Sequence, residues 1–421
     1  MWAVLDADSF FCSVEKVFHP GLDGKPVCVL SSNDGIIVAL TREAKALGLK
    51  RGDPCHQVRD IIGKGHVTVF SGNMMLYAAM SERIAGIIRS SLDNCIQYSI
   101  DESFVNLAGY EKHHNLETSL REVAQKIKLW TDIPVSVGIA PTKTLAKIGS
   151  RFAKNYRGYH SVCMIDSDEK RRKSLSMTQL SDVWGLGRRT CGKLSSLGIS
   201  SPLEFADKDI SWVRRNFTKP GIQTWLELNG HPCIDICEDT WRQSITTSRS
   251  FGTMVTDKEM LKASVASFAA SCAGKLRAQK SLTSCVSVFI SSNPFREDLP
   301  QYMNMATRIL DIPTADTMEI TAAALALTES LYRPGIQYKK TGVILDRISC
   351  GAYQQDMFDS IANRPQRLEL SKAVDSLNCR FGVKSVHLAV EGNSGDAWHV
   401  RADHRSQNYL TDINGLLTIH I

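Results

Sequence analysis

Ile96-Gln97-Tyr98-Ser99-Ile100-Asp101-Glu102-Ser103-Phe104-Val105-Asn106-Leu107 is the stretch on which the reading of this chain turns. Ile96, Tyr98 and Ile100 alternate as on a strand, and Phe104-Val105 with Leu107 resume an apolar strand, which puts Asp101 and Glu102 at or near a hairpin bend. Neighbouring side chains on a regular strand face opposite ways, so a bend is what lets both acids lean toward one point. Near the start, the apolar run Trp2 to Leu5 reads as a buried strand that delivers Asp6 at its carboxyl end, within Val4-Leu5-Asp6-Ala7-Asp8. Three carboxylates so delivered suit a pair of hard divalent cations. Such a pair serves nucleotidyl transfer, one ion activating the attacking 3′-hydroxyl and the other holding the triphosphate. An isolated Asp-Glu pair at a turn is more often merely solvated, and the rest of the chain is what reverses that reading.

Working outward, 421 residues imply several domains, because single cores rarely grow past roughly 250 residues, and 43% hydrophobic residues suffice to fill them. No stretch approaches the ~20 apolar residues of a membrane span. The N-terminus lacks the basic start and apolar core of a signal peptide, so a cytoplasmic protein without membrane contact is expected. Twelve cysteines are scattered, several within apolar runs (Cys28, Cys163, Cys285), as in a reducing compartment, and no disulfides are expected. His231, Cys233 and Cys237 fall short of a zinc site, which wants four ligands and paired C-x-x-C knuckles. Between Thr142 and Lys219 there are 16 Lys or Arg against 7 Asp or Glu, whereas the whole chain carries only +6, so the remainder is slightly acidic. A basic block behind a carboxylate site suits a polyanion held near metals; its bland alternative, above all for Lys170-Arg171-Arg172-Lys173, is a solvated helical surface.

Short strands are expected at Val27-Leu30 and Ile36-Leu40, and helices from about Asn73 to Ser90 and Leu116 to Trp130, with a strand at Val135 to Ile139. Leaving out the insertion after the first strand, the order is β-α-β-β-α-β, a ferredoxin-like arrangement that sets the first strand beside the hairpin. In the next, helical region, Trp184-Gly185-Leu186-Gly187-Arg188-Arg189 reads as a tight hairpin feeding a helix to Leu197. Gly185 and Gly187 allow backbone N–H groups to approach a phosphate, and Arg188 and Arg189 flank them, so this helix-hairpin-helix signal points to DNA backbone binding. From Ser244 to Cys350 a second strand-helix-strand-strand-helix-strand order follows, with no acidic cluster of its own. The remainder, Gly351 to Ile421, has mixed charge and weak periodicity.

With these residues in hand, the chain resembles the Y-family translesion DNA polymerases, and most closely their UmuC-type branch. The anchors are Asp6-Ala7-Asp8-Ser9-Phe10-Phe11, Glu43-Ala44-Lys45-Ala46-Leu47-Gly48, Tyr98-Ser99-Ile100-Asp101-Glu102, Val137-Gly138-Ile139-Ala140 with Lys143-Thr144-Leu145-Ala146-Lys147, and Trp184-Gly185-Leu186-Gly187. The resemblance implies an α+β multidomain protein: a ferredoxin-like palm (1–19 and 72–166) with a fingers insertion (20–71), a helix-hairpin-helix thumb (167–238), a second α/β domain or little finger (239–350), and a clamp- and partner-binding tail (351–421). It assigns two Mg2+ ions to Asp6, Asp101 and Glu102 with the Ala7 carbonyl, and a steric gate against the sugar 2′ position to Phe11, a ring that otherwise serves core packing. It places Arg42, Lys45 and Lys154 on the triphosphate. Independently, Lys143, Lys147, Arg151 and Lys154 share an ~80° arc of one helix, a stripe that faces either phosphates or solvent. Gln354-Gln355-Asp356-Met357-Phe358 stands where the family carries a sliding-clamp peptide, with Gln354, Met357 and Phe358 as its contacts and Gln355 as a departure from the preferred leucine. Ser9 and Leu40 also depart from the branch's usual asparagine and arginine.

The resulting expectation is error-prone, template-directed synthesis on primed DNA past damaged bases in the SOS response, from dNTPs, by an enzyme associated with the nucleoid when active. The beta sliding clamp, a cleaved UmuD-type dimer and a RecA filament are implied as partners by resemblance alone. Alternatives are a stand-alone polymerase IV-like enzyme needing only the clamp, a nucleotide cyclase, which also mounts two-metal carboxylates on a ferredoxin-like sheet, and a catalytically silent DNA-binding scaffold.

Overall fold

The computed structural model describes residues 1–112, 114–236, 241–350, 363–382, 384–392 and 400–410. The described residues divide into two compact units, those within Met1–Ser31, Gly35–Asp239 and His404–Ile421, and those within Ser32–Asp34 and Thr240–Asp403.

In the first unit, β1 (Trp2–Ala7) leads into α1 (Phe10–Phe18), then β2 (Val27–Leu30), β3 (Ile37–Leu40), the short α2 (Arg42–Ala46), α3 (Arg59–Lys64) and β4 (Thr68–Ser71). There follow α4 (Met74–Ser91), the hairpin β5 (Cys95–Gln97) and β6 (Glu102–Asn106), α5 (Leu116–Thr131), β7 (Val135–Ala140), α6 (Lys143–Asn155) and β8 (Val162–Met164). Their five-stranded sheet runs β5-β6-β1-β7-β8, and β2, β3 and β4 form a separate three-stranded sheet. The ferredoxin-like order is borne out, with β8 added parallel to β7. Helix starts follow local chemistry: the side chain of Asn73 accepts from Leu76 N–H at the start of α4, and that of Thr142 from Leu145 N–H at the start of α6. All six residues of β7 are buried, and its one polar side chain, Ser136, donates to the Asp8 carboxylate at 2.9 Å. Within these cores burial pushes the Cys28 thiol up to about 12 and the Cys163 thiol up to about 11, so both behave as small hydrophobes.

Gly138 of β7 decides where α6 lies. A Cβ there would stand 1.9 Å from the Ala146 carbonyl oxygen and 2.2 Å from the Ser150 nitrogen, so only glycine lets the helix backbone rest on the strand. On the same face of the sheet, α7 (Asp168–Met177), α8 (Arg188–Ser196), α9 (Pro202–Ala206), α10 (Ile210–Asn216) and α11 (Lys219–Leu228) share a core with Val4, Phe104 and α6.

The second unit comprises β9 (Ile245–Val255), α12 (Lys258–Ala278), β10 (Ser281–Ser291), β11 (Met303–Thr314), α13 (Thr317–Leu331), β12 (Tyr338–Cys350) and α14 (Arg364–Phe381). It repeats the expected β-α-β-β-α-β order, but its sheet runs β11-β10-β12-β9. The last strand, not the third, therefore lies between the two joined by the first crossover. Both arrangements satisfy the handedness of crossovers, so element order alone does not choose between them. The weak periodicity read after Gly351 is corrected by α14. Only Ser371 of that helix is buried, and it is tied instead by ion pairs, Arg364 to Glu319 at 2.6 Å, Arg367 to Asp316 at 2.8 Å and Asp375 to Arg277 at 2.6 Å.

Candidate active site

Strand pairing brings the acids together. Asp6 of β1 lies directly opposite Glu102 of β6, and Ala7 N–H donates to the Asp101 carbonyl at 2.9 Å. The bend is built around Ser99: its hydroxyl donates to the Asp101 carboxylate at 2.6 Å and accepts from Glu102 N–H at 3.1 Å, while Tyr98 N–H and Ser99 N–H both donate to the Glu102 carbonyl. Asp101 thus sits in the turn and Glu102 opens the strand, as the alternation in the sequence requires.

Two lysines of α6 answer these charges. Lys147 Nζ lies 3.0 Å from the Glu102 carboxylate, and Lys154 Nζ lies 3.2 Å from Asp6 and 3.4 Å from Asp8. All five side chains are largely shielded, between 17% and 27% exposed, so these pairs are felt more strongly than surface pairs. Burial pushes the Asp6 carboxyl up to about 6; Lys154 opposes the shift, and the neighbouring Glu102 and Asp101 charges add to it. Burial alone would lower the Lys154 ammonium, but Asp6 and Asp8 outweigh it and hold it above the usual range.

The basic stripe of α6 turns out not to face one ligand. Lys143 is buried, donating to the Ile234 carbonyl at 2.6 Å with its ammonium over the Trp2 ring, and Arg151 pairs with Asp182 at 2.6 Å. Lys147 and Lys154 alone reach the acids. Arg42, at the start of α2, donates to the Lys154 carbonyl, and Lys45 one turn on is pushed below its usual range by burial, with Lys154 and Arg42 adding repulsion. Three cations from two elements are therefore gathered beside the carboxylates. Ser9, with left-handed backbone at φ 46°, donates through its hydroxyl to the Leu40 carbonyl at 3.2 Å, so these two departures in residue type touch each other.

Phe11 is half-buried and its ring stacks on Tyr77, with centroids 4.5 Å apart and planes 16° off parallel. Gly185 has φ +91°, and a Cβ there would meet Thr224 Oγ1 at 2.6 Å; Gly187 caps α8, and Arg188 and Arg189 are exposed at its start. Trp184 Nε1 donates to the Tyr98 hydroxyl at 3.2 Å, and Lys147 lies over both rings, joining the hairpin to the acidic bend. Gln354, Met357 and Phe358 lie outside the described residues, as does Cys237.

Asp8, Lys147, Glu15 and Tyr77 carry more of this site than the sequence reading allowed. A charged residue one helical turn after Phe11, on the apolar face of α1, was the available signal for Glu15. As for a metal, no three His, Cys, Asp or Glu side chains among the described residues close on one point, because Asp101 is turned to Ser99 and Asp6 and Glu102 to lysines. The donor set still fits hard cations: the donors are all oxygens, Asp6 feels both other acids, and two ammonium groups already rest on the carboxylates.

A model of the impB/mucB/samB family matches residues 5–151, and one of the impB/mucB/samB family C-terminal domain matches residues 242–357. A domain of unknown function matches residues 369–419. The chain is 37% identical to Protein ImpB of Salmonella typhimurium over 98% of this chain and 97% of that one. It is 36% identical to Protein UmuC of Salmonella typhimurium strain LT2 over the full length of both. Among solved structures, a Y-family DNA polymerase chimera of Dbh and Dpo4 superposes with a TM-score of 0.66 at 21% identity, covering 83% of this chain and all of that one. Fold and matched domains together define the class, a Y-family polymerase. The chain belongs to the impB/mucB/samB family and, within the class, is of UmuC type.

Proposed function

We propose that this DNA-directed DNA polymerase carries out error-prone, template-directed synthesis past damaged bases, as part of the SOS response. The observation that carries the reading is the register of β1 on β6, which sets Asp6 opposite Glu102 with Asp101 in the adjoining bend. Asp6, Asp101, Glu102 and the Ala7 carbonyl would hold two Mg2+ ions, which supply activation of the primer 3′-hydroxyl and stabilisation of the triphosphate and leaving pyrophosphate. The protein's own residues do the rest. Arg42, Lys45 and Lys154 orient the triphosphate; Lys154 passes from Asp6 and Asp8 to phosphate oxygens when the nucleotide arrives. Phe11 presents a flat ring where a 2′-hydroxyl would need room. The Gly185–Arg189 turn grips the DNA backbone through N–H groups and exposed guanidiniums.

Overall likeness to UmuC and ImpB, spanning nearly the whole chain, supports the UmuC-type partners: a beta sliding clamp taken by Gln354, Met357 and Phe358, a cleaved UmuD-type dimer and a RecA filament. No helix among the described residues is long and apolar enough to cross a membrane, and we place the active enzyme at the nucleoid in the cytoplasm. The test is primer extension with Mg2+ on a template carrying an abasic site, comparing the wild type with Asp101→Ala, alone and with clamp, cleaved UmuD and activated RecA. Extension by the wild type that is lost in the variant supports the reading, and dependence on added partners supports the UmuC-type requirement. Absence of extension under every condition overturns it.

A further inference from the structure

A buried acid lies behind the proposed sugar gate. Phe11 and Glu15 are one turn apart on α1, and Glu15 is wholly buried. One carboxylate oxygen, Oε1, accepts two hydrogen bonds, from the Tyr77 hydroxyl at 2.6 Å and from the Ser406 hydroxyl at 3.0 Å. Oε2 has no hydrogen-bond partner among the described residues. Tyr77, itself wholly buried in the first turns of α4, carries at its other face the stack on Phe11. A carboxyl in an apolar core is unfavourable, and a leucine at 15 with a phenylalanine at 77 would fill the same space without desolvation. What the apolar pair lacks is an acceptor that pins the para end of the Tyr77 ring. Core packing surrounds the ring, and the hydrogen bond at the hydroxyl adds a directional restraint on where it lies in its plane.

The second donor comes from the far end of the chain. Residues 404–410 lie along the first unit: Ser71 N–H donates to the His404 carbonyl at 3.0 Å, and His404 N–H donates to the Ser71 hydroxyl at 2.9 Å. The Asn73 side chain, which caps α4, donates to the carbonyls of Ser406 and Gln407 at 3.1 Å and 3.3 Å. Tyr409 stacks on Phe18 at 4.6 Å, and its hydroxyl meets His19 Nε2 at 3.4 Å. The segment therefore touches α1 at Glu15 and Phe18, His19 just past its end, and α4 at its cap. It falls inside residues 369–419, the stretch that matches a domain of unknown function.

We infer that Glu15 is a positioning residue for sugar selection, holding Tyr77 flat against Phe11, and that Ser406 of the C-terminal segment completes this support, so that exclusion of ribonucleotides in the palm depends on the end of the chain. The inference rests on the reading of Phe11 as the gate. It identifies part of the terminal domain as a brace for the nucleotide site.

The experiment measures kcat/KM for a deoxynucleotide and for the matching ribonucleotide on undamaged primed template, using the full chain with Mg2+ and the partners named above. Phe11→Ala is run first, and its selectivity ratio must fall; no change there removes the gate reading and this inference with it. Given that fall, Tyr77→Phe and Glu15→Leu lower the ratio about three- to tenfold, the range of one hydrogen bond, and Ser406→Ala lowers it about twofold. Glu15→Gln, whose amide oxygen still accepts from both hydroxyls, keeps the ratio within about twofold of wild type. Combining Tyr77→Phe with Ser406→Ala adds nothing beyond Tyr77→Phe, since both act through one acceptor. A purely structural role lowers both kcat/KM values together and leaves the ratio alone, and that result overturns the inference while sparing the gate. Glu15→Gln behaving like Glu15→Leu also overturns it. Should Glu15→Leu fail to fold, Tyr77→Phe and Ser406→Ala each remove one hydroxyl and carry the test.

Discussion

Asp101 stands in the bend between β5 and β6 with the Ser99 hydroxyl 2.6 Å from its carboxylate, and Ser99 also receives the Glu102 amide. Replacing Asp101 by alanine removes a charge from the site but little packing, so extension should fall by about 10³-fold or more while the unfolding midpoint stays near that of the wild type. Denaturant titration beside primer extension checks both halves of this. Ser99→Ala should be milder, about three- to tenfold in kcat, because it frees the carboxylate without deleting it. Glu15 makes a different prediction, about pH. Burial raises its carboxyl above the usual range, against the hydrogen bonds from Tyr77 and Ser406 and the nearby His19. The folded chain thus binds this proton more tightly than the unfolded chain, and its stabilising contribution is full below the unfolded carboxylate range and is lost as pH rises through the folded pKa. The Tm of wild type minus that of Glu15→Gln should therefore decrease as pH rises from the ordinary carboxylate range; a flat difference would show that burial does not raise this carboxyl. At this scale the acids at the bend were legible because strand alternation is local. Glu15 and Lys147 were not, since what they touch lies 62 and 45 residues away.

At the scale of elements, α6 is the part on which most of the site hangs, and Gly138 is what admits it. Gly138→Ala would force the helix backbone off β7 and with it Lys147 and Lys154, a change expected to remove about 2 kcal/mol or more of stability and to depress extension further than stability explains. Denaturant midpoints with matched-temperature kinetics measure the two separately. The four cations of this helix share an arc, as periodicity foretells, yet each goes to a different partner: the Ile234 carbonyl, the Glu102 carboxylate, Asp182, and the pair Asp6 and Asp8. A period of 3.6 residues determines which side chains share a face, not what that face meets. α14 did carry a local signal, Leu370, Val374, Leu377 and Phe381 at helical spacing, which the sequence reading passed over; Leu370, Leu377 and Phe381 are exposed in the structure, and ion pairs of Arg364, Arg367 and Asp375 help to attach the helix.

Across the whole molecule, the basic block is less free than its count suggests. Arg151, Lys170, Arg171 and Arg172 are paired with Asp182, Asp166, Asp168 and Asp207. Affinity for primed DNA should still fall steeply with salt, and Arg188→Ala with Arg189→Ala should reduce the slope of log K against log salt by about 1–2 without changing sequence preference. Fluorescence titrations between low and physiological salt would show it, and an unchanged slope would mean that the exposed start of α8 does not meet phosphates. The sequence by itself determined the three acids, the β-α-β-β-α-β order at the centre of each unit and the glycine hairpin, because alternation, helical period and turn chemistry are written within a few residues of one another. Tertiary structure alone decided the strand order of the second sheet, the partners of each lysine on α6, and the return of residues 404–410 to α1 and α4. Those outcomes depend on contacts between groups tens to hundreds of residues apart, which are selected by packing and burial and leave no local period in the chain.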